Sequence, residues 1–106
     1  MVHMKEAAAV AMRLARGRAR EDLDRDEGLV LSLVKAVEIV GEAANRVSRE
    51  TRDRFVGIPW KAMAHMRHRL VHEYFRINLD ILWKTIQEDL PPLVDLLEEA
   101  LGQEGT

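Results

Sequence analysis

The stretch from His65 to Arg76 reads His-Met-Arg-His-Arg-Leu-Val-His-Glu-Tyr-Phe-Arg. It holds three of the chain's four histidines, with Arg67, Arg69 and Arg76 set among them. An imidazole titrates near neutrality, so it can give or take a proton in a reaction. A guanidinium presents a planar fork of donors that matches a phosphate. The whole chain carries a formal charge of −2, which gives no general attraction to a polyanion. Phosphate recognition therefore has to come from a local patch, and this stretch is the best candidate for one.

The element carrying the cluster reads as a helix. Pro59 suits a first helical turn, where a missing N–H costs nothing. From there to about Tyr74, the residues Trp60, Met63, Leu70, Val71 and Tyr74 share one side. Projected on an ideal helix, Arg67 falls near the middle of this apolar side. His65, His68, Arg69, His72 and Arg76 fall on the opposite side, within about 100°. A buried arginine is costly without a partner, so Arg67 must face a carboxylate, a cleft or a subunit interface.

Three readings of the cluster stand side by side. One is a solvated basic face with Arg67 in a structural ion pair. One is a metal site, since His65, His68 and His72 lie three and four residues apart, although zinc sites of that spacing usually add a carboxylate or Cys. The third is an RNA-cleaving site built on Arg and His. Geometry constrains the third: Arg67 and His72 lie about 140° apart on a straight helix. Either the helix ends or deforms near His72, or a cleft combines residues of two chains across a two-fold axis.

The remaining elements must position this stretch. Met4 to Ala15 is an Ala-rich helix with Met4, Ala8, Ala11 and Ala15 on one face and Leu14 beside it. Arg16 to Glu27 is charge-dense and loses the apolar period, which predicts a solvated loop. Leu29 to Ser48 has the strongest pattern: Val30, Leu33, Val37, Val40, Ala44 and Val47 alternate by three and four, with Leu29, Ala36 and Ala43 widening the stripe. That width predicts a helix buried on two sides. Glu38, Glu42, Asn45 and Arg49 fall on the opposite face; Glu38, Glu42 and Asn45 are candidates to hold Arg67 or line a cleft, or are simply a solvated face.

Thr51 to Ile58 breaks the pattern, and Phe75 to Asn78 is a short connection with Asn78 placed as an N-cap. Leu79, Leu82, Trp83, Ile86, Leu90, Leu93, Val94, Leu97 and Leu101 form a last stripe. It crosses Pro91-Pro92 in phase, which predicts a kink or restart without a chain reversal. Gly102 to Thr106 reads as a frayed tail. No strand pattern or internal repeat stands out, and residues 1–106 read as one all-α domain, an antiparallel bundle of four or five helices.

Composition narrows the function classes. With no Cys there is no disulfide framework, Cys-based zinc site or thiol nucleophile. No apolar run approaches the roughly 20 residues that span a bilayer, and no signal-peptide layout opens the chain. A cytoplasmic protein without membrane contact is expected. A chain of 106 residues has a marginal core, which makes an oligomer plausible on physical grounds.

The ordered words Gly41-Glu42-Ala43-Ala44, Ile58-Pro59-Trp60, Met66 to Phe75, Asp80-Ile81-Leu82-Trp83 and Gln87 to Pro91 together resemble the HEPN superfamily. Within it the chain is most similar to HepT-type toxins, which pair with MntA-type minimal nucleotidyltransferase antitoxins. The resemblance covers roughly Leu29 to the C-terminus. It implies a helical bundle that dimerises around a composite cleft, with a metal-independent endoribonuclease activity that needs no cofactor or bound metal. Arg67 and His72 would be the catalytic pair. Tyr74 would be the residue that the partner modifies with AMP, silencing the toxin. His68 stands where the family usually has Asn; it and Arg69, with Glu42 and Asn45, would bind RNA or phosphate or support the site. The alternative is a non-catalytic subunit that holds nucleotide or substrate for a minimal nucleotidyltransferase. A plain structural oligomer is a third class, and it leaves Arg67 unexplained.

Overall fold

The structure is a computed structural model that describes residues 1–73 and 76–104; the side chains of residues 71–73 and 104 are outside that description. The long helix α3, Glu27–Arg46, organises the rest. Asp26 starts it, its Oδ1 accepting from the Leu29 N–H at 2.9 Å, as an N-cap should. Leu29, Val30, Leu33, Ala36, Val37, Val40, Gly41 and Ala44 are buried along it. That is the expected wide stripe, and it meets neighbours on two sides.

On one side lies α1, Val2–Ala15, which buries Met4, Ala7, Ala8, Ala11 and Ala15. Its small side chains let the helix sit between α3 and the C-terminal helix. Leu14 stays exposed. Gly17 has φ +76°, the left-handed conformation that commonly closes a helix one residue past its cap. The next stretch is more ordered than a solvated loop. It contains a short helix α2, Asp22–Arg25. Arg20 donates from Nε to Asp80 at 2.8 Å and from Nη1 to Asp24 at 3.2 Å. The Asp80 and Asp24 hydrogen bonds raise the Arg20 guanidinium above its already high ordinary pKa.

On the other side of α3 the chain makes short elements. Helix α4 spans Arg49–Arg54, capped by Ser48, whose hydroxyl accepts from the Thr51 N–H. The periodicity breaks across 51–58 because no residue of α4 is buried, so a buried stripe could not reveal it. Arg52 turns back to cap α3, donating to the carbonyls of Ala44 at 2.8 Å and Val47 at 3.1 Å. Helix α5 spans Trp60–Ala64 and α6 spans Met66–Leu70. Strands β1, Val71–Glu73, and β2, Arg76–Ile77, then pair antiparallel, with Val71 opposite Ile77 and Glu73 opposite Arg76. The sequence showed no strand pattern because these strands are too short to establish an alternation.

The C-terminal stripe forms α7, Leu79–Lys84, a π-helical turn at Thr85–Asp89, and α8, Leu90–Glu104. The Leu90 N–H bonds the Thr85 carbonyl, a five-residue step. The backbone stays right-handed helical at Lys84, Thr85 and Leu90, so the helix runs on through this widened turn, and Pro91 and Pro92 follow directly after it. The stripe keeps phase: Leu82, Ile86, Leu90, Leu93, Leu97 and Ala100 are all buried. Helix α8 continues to Glu104, into the segment expected to fray. Lys5 near the start of α1 lies 3.7 Å from Glu98 in the middle of α8, and Met12 and Ala15 at the end of α1 line a pocket with Pro91 at the start of α8, so the two helices run antiparallel.

The result is an all-α bundle with one minimal hairpin, measuring 45 × 29 × 17 Å. Its thin dimension is less than two helix diameters. No helix among the described residues is long and apolar enough to cross a membrane.

One close approach sets the relation between α3 and α5. A Cβ on Gly41 would lie 3.1 Å from the Met63 carbonyl oxygen and 3.5 Å from that of Ala64. Both are backbone atoms, so they cannot rotate aside. Gly41→Val should therefore push α5 off α3 and cost about 1–3 kcal/mol by overpacking. A thermal melt of the purified variant checks this; an unchanged midpoint would show that the contact imposes nothing.

Candidate active site

The cluster is built on a broken helix. At His65 the backbone takes φ −95°, ψ 2°. The His68 N–H then bonds the His65 carbonyl at 3.1 Å, a three-residue step that tightens the turn. This recentres the buried stripe on Met63, Met66 and Leu70, all buried. The expectation of one continuous helix from Pro59 to about Tyr74 is thus corrected, and so is the placing of Arg67 amid apolar residues. Met66 takes the core position, and the Arg67 side chain is 54% exposed.

Arg67 does meet a carboxylate. Its Nε donates to Oε1 of Glu38 on α3 at 2.5 Å. The Glu38 side chain is 22% exposed, so the acceptor is the better-buried partner. Among the described residues the two Nη groups of Arg67 make no hydrogen bond. The guanidinium is held at one edge and open at the other. Of the three α3 candidates to hold Arg67, Glu38 does so, while Glu42 and Asn45 are exposed on the same helix and, among the described residues, make no hydrogen bond to it.

His68 and Arg69 are exposed beside Arg67 on α6. The rings of His65 and His68 lie 6.0 Å apart at 43°. His72 lies on β1, beyond the end of α6, so the 140° separation of a straight helix does not apply. Its side chain is outside the described residues, as is Tyr74 altogether. The three-and-four histidine spacing on one helical face also lapses, because the backbone is non-helical at His65 and extended from Val71. No group of three potential metal ligands forms among the described residues.

The hairpin that carries His72 is tied at its base. The Asn78 N–H donates to the Leu70 carbonyl at 2.8 Å. The Asn78 side chain accepts from the Ile81 N–H at 3.0 Å and so caps α7. One residue thus closes the hairpin and starts the next helix. Sequence reasoning found the cap and missed the tie, since a backbone bond leaves no trace in side-chain types. It also missed the long-range Arg20–Asp80 bond, for which an exposed charged loop gives no signal.

An open groove of about 490 Å3 lies beside β2, lined by Leu23, Val30, Leu31, Ile77 and Leu79 with Asp24, Arg25 and Glu27 at its charged side. Leu31 is 54% exposed there. None of the clustered His and Arg residues of α6 lines it.

Comparison with known proteins bears on this arrangement. The family model described as Ribonuclease HepT-like matches residues 4–100. A protein of Caldanaerobacter subterraneus subsp. tengcongensis named "Putative RNase TTE0752" is 34% identical over 102 residues, covering 96% of this chain and 91% of its own. A protein of Thermococcus cleftensis named "Probable ribonuclease HepT" is 37% identical over 79 residues, covering 74% of this chain and 72% of its own. No solved structure matches.

The exposure of Arg67 carries a stability consequence. An ion pair with one exposed partner contributes about 0–1 kcal/mol. Arg67→Met should therefore leave the chain folded, with a stability change within about 1 kcal/mol. Chemical denaturation measures it, and a loss of several kcal/mol would mark Arg67 as a structural residue.

Proposed function

This chain belongs to the HepT-like ribonuclease family, and from that premise we propose that it is a toxin-type, metal-independent endoribonuclease acting as a homodimer. The observation that carries the reading is the guanidinium of Arg67, fixed at Nε by Glu38 and open at its Nη edge, directly before the strand that bears His72.

In the proposed reaction His72 takes the proton of a ribose 2′-OH. The 2′ oxygen attacks the adjacent phosphorus, and the bond to the 5′ oxygen breaks. The charge that develops on the phosphorane oxygens is met by the Nη groups of Arg67, a preorganised cation at the point where charge grows. The leaving 5′ oxygen takes a proton from a second acid. His68, exposed one residue from Arg67, is the nearest candidate, with Arg69 supplying phosphate contact. Glu42 and Asn45 would line the cleft as supporting groups.

A second copy of the chain completes the cleft in this reading. The thin slab shape and the apolar groove with exposed Leu31 beside the hairpin support it, because a small chain gains core by pairing. A cognate minimal nucleotidyltransferase would act as antitoxin by placing AMP on Tyr74. A phosphate-bearing group two residues from His72 would oppose RNA by charge and bulk.

The alternative is a non-catalytic subunit that holds nucleotide for such a transferase, and His68 in the usual Asn position favours it. An RNase assay separates the two. The protein should cleave RNA in the presence of EDTA, and Arg67→Ala and His72→Ala should each lower the rate by about 100-fold or more. Cleavage that persists in both variants removes this mechanism; no cleavage by the unmodified protein leaves the binding subunit. Tyr74→Phe should retain cleavage and abolish the AMP mass increment seen by mass spectrometry after co-expression with the transferase.

A further inference from the structure

Charge is sharply segregated along this chain. Residues 46–69 hold seven Lys or Arg against two Asp or Glu, a formal +5. The other 82 residues hold nine against sixteen, a formal −7. The fold sets the elements of the basic stretch around the C-terminal half of α3, with Glu99 of α8 beside the loop that follows α4. Arg52 pins α4 onto the end of α3 through the carbonyls of Ala44 and Val47. Gly41 brings α5 against α3. Arg46 closes α3, Arg49 opens α4, and Lys61 is the second residue of α5. All three are exposed.

Local stability does not account for them together. Arg46, in the last turn of α3, complements the helix dipole. Arg49 does the opposite, placing a cation on the first turn of α4. Among the described residues, Arg46, Arg49 and Lys61 form no ion pair, although Glu50 and Asp53 lie on the same short helix. Arg46 and Glu38 are eight residues apart on α3, roughly 12 Å along the axis, so the basic corner at this end of α3 begins about two helical turns from Arg67. Exposed Glu42 and Asn45 lie between.

We propose that this corner is a docking surface for the RNA backbone outside the cleavage cleft, with Arg46, Arg49 and Lys61 contacting phosphates of the strand that runs away from Arg67. The inference rests on the ribonuclease reading for its ligand and adds a substrate-length requirement. RNA long enough to reach from Arg67 to the corner gains affinity, and a dinucleotide does not. Arg52 is excluded because it caps α3.

The test measures binding and cleavage for the full chain. A labelled single-stranded RNA is followed by fluorescence anisotropy across a salt series, for the unmodified protein and for Arg46→Gln/Arg49→Gln/Lys61→Gln. Single-strand binding loses roughly 0.7 in the log–log salt slope per phosphate contact, so the triple variant should lose about 2. The single variant Arg49→Gln should lose roughly 0.7, and it remains informative should the triple variant fold poorly. Arg13→Gln on α1 removes the same charge elsewhere and should leave the slope unaltered. In cleavage, the ratio of kcat/KM for long RNA to that for a dinucleotide should fall about tenfold in the triple variant. A triple variant with unaltered slope and ratio overturns the docking surface, as does one that binds RNA normally but loses its transferase partner. These outcomes are separate from the ribonuclease reading, which stands or falls on Arg67→Ala and His72→Ala. Salt-sensitive RNA binding through the corner by a protein that does not cleave supports the surface and removes the nuclease.

Discussion

The arrangement depends on a single backbone approach. The Met63 carbonyl oxygen lies 3.1 Å from the position a Cβ of residue 41 would occupy. Glycine leaves that space free, and any larger residue would need the α5 backbone to shift by a few tenths of an ångström. With α5 seated there, α6 follows after the break at His65 and lays Arg67 against Glu38, three residues before Gly41 on α3. The same α3 buries Leu33, Val37 and Val40. One helix thus provides the floor of the core and the acceptor that orients the arginine.

Periodicity revealed the parts of the fold where helices are long. The stripe of α3 and the in-phase C-terminal stripe were legible because each repeats over several turns. It failed where elements are shorter than the pattern needed to see them. Helices α4, α5 and α6 have six, five and five residues, and β2 has two. The single long helix expected over 59–74 misplaced Arg67 because an ideal projection carries phase through His65, where the backbone tightens. The chemical types at the candidate site survive this error, since residue types do not depend on phase. Their exposure and partners do.

The π turn shows the same limit from another side. Two consecutive prolines forecast a kink or restart without a chain reversal; the chain does not reverse, and a widened turn ahead of the prolines takes the place of a break. The five-residue bond from Leu90 to Thr85 could not be read in advance. It follows from packing: the chain keeps Ile86 and Leu90 in the core by widening one turn before the prolines. Thr85 is buried along with them, a polar residue that an apolar pattern passes over.

The Glu38–Arg67 pair orients the guanidinium and leaves part of it exposed. A carboxylate on both Nη groups would consume the fork that a phosphate needs. A carboxylate on Nε fixes the guanidinium plane and leaves that fork facing out. With Arg67 more than half exposed, water screens the pair, and the attraction is modest. A phosphate presented to the Nη edge therefore need not displace Glu38 to bind. Burying Arg67 in the core, as a continuous helix would have done, would have locked it in an ion pair too costly to open. The break at His65 lets one short segment place a methionine in the core and an arginine at the surface.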